Sequence, residues 1–147
     1  MGFIHFVTIR IVGEPVAQGR PRFTTVHGSP RAVDPKKSKD FKYLMRLAAD
    51  KAMSEKGLVP TEKPLSVTIR VTKLPPKSWS KKKLKRLEDG EIIPIIVKPD
   101  MDNYVKTLDG LNGIVWADDN QIWDMHARKF YALSAGMEIE VRETEEE

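Results

Sequence analysis

The chain has 147 residues, 40% hydrophobic and 31% charged, which suits one domain large enough to bury a core. It has no Cys, which excludes disulfides and thiolate metal sites, and no long apolar run of the kind that spans a membrane or forms a signal peptide. Its net charge of +4 is uneven: six Glu and one Arg from Gly136 onward give −5, leaving +9 on the rest. A basic body with an acidic tail suits a polyanion such as nucleic acid, and equally an ordinary solvated surface.

Phe3 to Val12 is apolar and rich in β-formers, and is expected as a buried strand. Gly13 to Asp34 is the longest loop, expected to be mobile or ordered by substrate. It carries Arg20 and Arg22 between Gly19, Pro21 and Phe23, and forked arginine donors suit phosphate oxygens. Asp34-Pro35 reads as a cap and first position of a helix running to about Glu55 and stopping at Gly57. Phe41, Leu44, Met45, Ala48 and Ala52 form its apolar face, and Lys36, Lys37, Lys39 and Lys42 make its start cationic. Leu65 to Thr72 alternates as a half-buried strand.

Ser80 caps a short basic helix, Lys81 to Asp89. Around it Lys73, Lys77, Lys81, Lys82, Lys83, Lys85 and Arg86 come with no acid among them, a solvated face or an electrostatic guide for DNA. Trp79 is read as the hydrophobic anchor of this helix. Farther along, Gln121 to Tyr131 reads as a strand with Trp123, Met125 and Ala127 on one side. Met137 to Arg142 is the last strand, giving a domain over 1–142 and a frayed acidic tail over 143–147. His5, His27 and His126 show no ligand spacing.

Lys98 to Gln121, KPDMDNYVKTLDGLNGIVWADDNQ, concentrates the chemistry. Asp100 and Asp102 stand at i and i+2, on one side of an extended chain. Tyr104, Val105, Leu108 and Leu111 then recur at helical spacing over Asn103 to Asn112, with Gly113 as the stop. Asp102 either caps this helix or holds a cation at its start. Lys106 lies one turn on, and Asp109 is its alternative partner. Ile114 to Trp116 is a short strand-like piece, and Asp118-Asp119 follow in a turn that a returning chain brings beside Asp100 and Asp102. Carboxylates converging without His or Cys form a hard oxygen site suited to Mg²⁺ or Mn²⁺. With one ammonium group, that is an inventory for phosphodiester hydrolysis.

The segment resembles the core motif of the RusA family of Holliday junction resolvases. The matching residues are Lys98-Pro99-Asp100-Met101-Asp102-Asn103, then Lys106, then Leu108-Asp109-Gly110-Leu111-Asn112-Gly113, then Asp118-Asp119-Asn120-Gln121-Ile122. The loop Gln18 to Phe23 is similar to a basic segment in such sequences. Tyr104 stands where the family often has Leu, and Gly110 where Ala is common. The resemblance implies that Asp100, Asp102 and Asp119 bind the metal, with Asp118 the second choice, and that Lys106 is needed for cleavage. It implies Mg²⁺ as cofactor, with Mn²⁺ able to substitute, and a bacterial or phage setting in DNA repair or recombination. It also implies a compact homodimer that nicks a four-way junction symmetrically.

The expected fold is a single compact α/β (α+β) domain: a mixed sheet of about four to six strands with two or three helices. The expected function is Mg²⁺-dependent Holliday junction resolution in the cytoplasm, with Arg20, Arg22, Lys77, Lys81, Lys82, Lys83 and Lys85 on the DNA backbone. The alternatives are a related metal-dependent nuclease acting on flaps, forks or RNA, a non-catalytic basic DNA-binding module, and a small enzyme of other chemistry whose Asp cluster is structural. Three acids facing phosphate argue against the pure binder.

Overall fold

The computed structural model describes residues 2–26 and 28–145, without the side chains of Arg22, Thr24 and Val26. The chain runs β1 (Phe3–Val12), β2 (Arg22–Val26), β3 (Ser29–Val33), α1 (Lys36–Glu55), β4 (Leu65–Lys73), α2 (Lys81–Glu88), α3 (Met101–Val105), β5 (Ile122–Tyr131) and β6 (Gly136–Thr144). Two 3-10 segments, Lys106–Leu111 and Asp119–Gln121, lie between α3 and β5. Four strands form a mixed sheet in the order β1-β6-β4-β5, and β2 and β3 pair separately as a hairpin. This is the α+β domain that the alternating patterns predict.

The sheet explains where the acidic segment goes. β1, β6 and β4 are antiparallel neighbours, whereas β4 and β5 run parallel. Parallel neighbours need a long crossover. Here the crossover carries α2, α3 and both 3-10 segments, and it returns the acidic motif to the end of the sheet where β4 and β5 begin.

β4 is central, and Leu65, Val67, Ile69 and Val71 are fully buried. Val7, Ile9 and Ile11 of β1 and Met137, Ile139 and Val141 of β6 share that core. Phe41, Met45, Ala49 and Met53 of α1, spaced four apart, cover it, and Tyr104, Leu108, Leu111, Val115 and Trp116 close one end. Burying each of the larger side chains contributes about 1.5–3 kcal/mol.

Several expectations need correction. The α1 stripe follows the i+4 row, so Leu44 is exposed while Ala49 and Met53 are buried. Asp34 does not cap α1: Pro35 occupies the cap position, without a side-chain bond. β1 is an edge strand, buried on one side only, with Ile4 and Val12 exposed. The loop Gly13 to Asp34 contains the β2–β3 hairpin. Trp123 points away from the core that holds Ile122, Met125 and Ala127. A register shift pairs Leu65 with Ile122 but Ser66 with Asp124, so an extra residue reverses the alternation there. β6 continues past Arg142 to Thr144, whose N–H donates to Pro64 O at 2.9 Å. Of the expected frayed tail, Glu146 and Glu147 lie outside the described residues, as does His27.

Candidate active site

The expected single helix over Asn103 to Asn112 is two pieces. α3 spans Met101–Val105 and tightens into the 3-10 segment Lys106–Leu111. Tyr104, Leu108 and Leu111 still reach the core, because a short 3-10 run keeps near-neighbour turns facing one way. Asp100, not Asp102, holds the cap position of α3, and its carboxylate makes no capping hydrogen bond. Asp102 lies in the first turn, and Lys106 Nζ is 3.6 Å from its Oδ2. Both groups are more than half exposed. The alternative Lys106–Asp109 pair does not form, since Asp109 pairs with Lys42 instead.

Ile114 to Trp116 is not a strand but a buried turn tied by isolated bridges, Thr61 to Trp116 and Asn112 to Trp116. Gly113 makes the reversal at φ +82°, where a side chain is strained. Trp116 Nε1 donates to Asn112 Oδ1 at 2.7 Å, and Asn112 Nδ2 donates to Asp119 Oδ1 at 3.4 Å. A fully buried indole therefore orients an amide that reaches the second aspartate of the pair. Asp118 is occupied otherwise. Its Oδ1 accepts from Asn120 N at 2.9 Å, and its N–H donates to Gln121 Oε1 at 2.9 Å, a capping box on the 3-10 segment. Gln121 Nε2 also donates to Thr61 O and Lys63 O, which fastens this turn to the entry of β4.

A cleft of about 690 Å³ opens between these pieces. Asn103, Lys106, Asp109 and Asp119 line it from the motif side. Gln18, Gly19, Arg20 and Pro21 line it from the basic loop, with Asp34 and Lys42 at the base. Two backbone donors fix the loop: Gln18 N to Asn103 O at 2.7 Å, and Gly19 N to Ser38 Oγ at 2.9 Å. Gly19 permits that approach, since a Cβ there would stand 2.9 Å from Pro35 Cγ. Lys42 Nζ bridges Asp34 at 3.3 Å and Asp109 at 3.0 Å. Gln18 Nε2 donates to Asp34 Oδ1 at 3.2 Å.

Asp119, Lys106 and Arg20 thus share one cleft, whereas Asp100 and Asp102 are not among its lining residues, and Asp102 is linked to it through its pair with Lys106. Asp100 follows Pro99, whose carbonyl accepts from Lys129 Nζ at 2.8 Å, as does that of Val97. The side chain of Arg22 lies outside the described residues. Lys77, Lys81, Lys82, Lys83 and Lys85 do not line the cleft. They surround α2, where Ser80 Oγ accepts from Lys83 N at 3.2 Å as the cap pattern predicts. Lys83 Nζ lies 4.3 Å from the Trp79 ring, and Trp79 packs edge-on against Tyr131 at 4.7 Å, the anchoring role expected of it.

Among the described residues, no three His, Cys, Asp or Glu side chains stand together as a group that could hold a metal ion, so Asp100, Asp102 and Asp119 are not drawn into one cluster here. The donor chemistry nonetheless suits a hard cation. Asp100, Asp102 and Asp119 are exposed carboxylates, the hard oxygen donors that such an ion prefers. Sequence reasoning missed Gln18, Asn103, Asp34, Lys42 and Lys129. Their contacts join positions far apart in the chain, and no local spacing rule reports such pairs.

The family profile described as endodeoxyribonuclease RusA matches residues 12–142. An uncharacterized protein, YqaN of Bacillus subtilis (strain 168), is 39% identical over 140 residues, covering 93% of this chain and 96% of that protein. The matched region spans the basic loop, α1, the acidic segment and the whole of the cleft they build, and the chain belongs to the RusA endodeoxyribonuclease family.

Proposed function

We propose that this protein is a Mg²⁺-dependent, structure-selective endodeoxyribonuclease that resolves Holliday junctions by paired symmetric nicks, in recombination or repair of bacterial or phage DNA. The observation that carries this reading is the cleft that sets Asp119, Lys106 and Arg20 around one open space. Family membership gives the reaction class.

Asp100, Asp102 and Asp119 are the residues that would hold Mg²⁺, with Mn²⁺ as a substitute. Bound there, the ion supplies charge neutralisation at the scissile phosphate and activation of water. Lys106 places its ammonium beside Asp102, where it donates to phosphate oxygens as negative charge builds in the transition state. Arg20 offers a planar fork of donors to a phosphate on the opposite wall. The lysines about α2, outside the cleft, attract a duplex arm at longer range. A two-fold homodimer would present two such clefts to opposed strands of a symmetric junction.

The test is a nicking assay on a synthetic four-way junction, with Mg²⁺ and with EDTA. Symmetric paired nicks that need Mg²⁺, lost in Asp100→Asn and Asp119→Asn while junction binding persists, are the expected result. Equal cutting of flaps, forks or RNA would move the assignment to a related nuclease. Binding without cutting under all conditions would make the protein a DNA-binding module.

A further inference from the structure

The β2–β3 hairpin has no part in the chemistry above, yet both its feet stand in the cleft wall. β2 starts one residue after Pro21 and β3 ends one residue before Asp34, and both flanking residues line the cleft. The foot is fixed by the hydrogen bonds of Gln18 and Gly19 to Asn103 and Ser38. Near this foot Phe23 is 79% exposed. Its cross-strand partner is Ala32, and Thr25 opposite Pro30 continues the same face, all of it exposed.

A large aromatic held in solvent beside a cleft that faces phosphate calls for an occupant. The surrounding charge selects a polyanion: from Gln18 to Val33 the chain has three Arg and no acidic residue. Phe23 is two residues beyond Pro21, roughly 7 Å along an extended strand, or about two nucleotide steps of one DNA strand. Bases inside a duplex are stacked and offer no free face. Bases at the branch point of a four-way junction can leave the stack at lower cost.

We infer that Phe23 stacks on a nucleobase exposed at the branch point and so fixes the junction centre relative to the cleft. This rests on the junction-resolving reading above and adds a residue that senses branching. Arg20 holds backbone of any sequence and shape, whereas Phe23 gains only where a base face is open.

The test uses the full chain and a four-way junction carrying 2-aminopurine at the branch point, in Ca²⁺ to hold cleavage back. Wild type and Phe23→Tyr are expected to raise the 2-aminopurine signal on binding. Phe23→Ala and Phe23→Leu should abolish that rise. They should weaken junction affinity about ten-fold, within the range for one base–aromatic stack, and leave affinity for linear duplex unchanged. Since Phe23 is exposed, melting temperature serves as the folding control. Unchanged junction affinity and signal in Phe23→Ala would overturn the inference and give the hairpin face to a protein partner. The parent reading fails separately, if wild type with Mg²⁺ cuts no junction while the 2-aminopurine response persists.

Discussion

Lys42→Met removes the cation on which the base of the cleft depends. The Lys42 side chain is 16% exposed and bridges Asp34, 35% exposed, and Asp109, 52% exposed. Fully buried pairs broken on one side cost about 3–5 kcal/mol, and exposed pairs about 0–1 kcal/mol. A mostly buried ammonium with two half-exposed carboxylates falls between, at about 1–2 kcal/mol. For a chain of this length that is a fall in Tm of roughly 2–8 °C. The two carboxylates left behind also line the cleft in which the proposed function places phosphate, so on that reading junction affinity should fall more than stability alone accounts for. Thermal unfolding of Lys42→Met, Asp109→Asn and the double variant checks the energy, and junction binding at two salt concentrations checks the repulsion. The double variant should recover part of the loss, giving a coupling of about 0.5–1 kcal/mol. A Tm within about 1 °C of the parent, with strictly additive effects, would refute this account of the cleft base.

Further outcomes follow at three residues, Tyr104, Gly19 and Ser66. Tyr104 is 1% exposed, and its hydroxyl has no partner among the described residues, so Tyr104→Phe should hold or raise stability by up to about 1 kcal/mol in chemical denaturation. Burial also raises the pKa of that phenol, so near-ultraviolet titration should show it ionising later than an exposed tyrosine. Gly19→Ala would drive its new methyl against Pro35 and Ser38, and should lower junction cleavage at least ten-fold while Tm changes little, because the loop rather than the core is displaced. The Ser66 hydroxyl donates to Asp124 Oδ2 at 2.6 Å and, ahead of the His126 contribution, holds that carboxyl below its usual value. A depressed pKa stabilises the fold above the ordinary carboxylate range and is lost as pH falls through the folded value. Ser66→Ala should therefore raise the Asp124 pKa seen by NMR and flatten stability at acid pH, with neutral-pH cleavage unchanged.

The four strands of the main sheet and the two longer helices were legible because each rests on local periodicity, whereas the β2–β3 hairpin was not. β4 alternates cleanly, and α2 begins at a serine cap with its predicted bond. The errors share one cause, contacts made far along the chain. Asp34 lacks its capping bond because it accepts from Gln18 and pairs with Lys42. Trp123 faces outward because a bulge against Leu65 and Ser66 reverses the pleat. Asp118 and Asp119 read alike in sequence. Only the turn separates them, giving Asp118 to its own backbone and Asp119 to the cleft.

The claim at the centre is that Asp100, Asp102 and Asp119 share one hard cation beside Lys106. Anomalous diffraction from crystals soaked in Mn²⁺ tests it most directly. The account predicts a peak bonded to oxygens of all three carboxylates at about 2.0–2.3 Å, absent in Asp102→Asn. A peak elsewhere, for instance on Asp34 and Asp109, or none at saturating Mn²⁺, would contradict it.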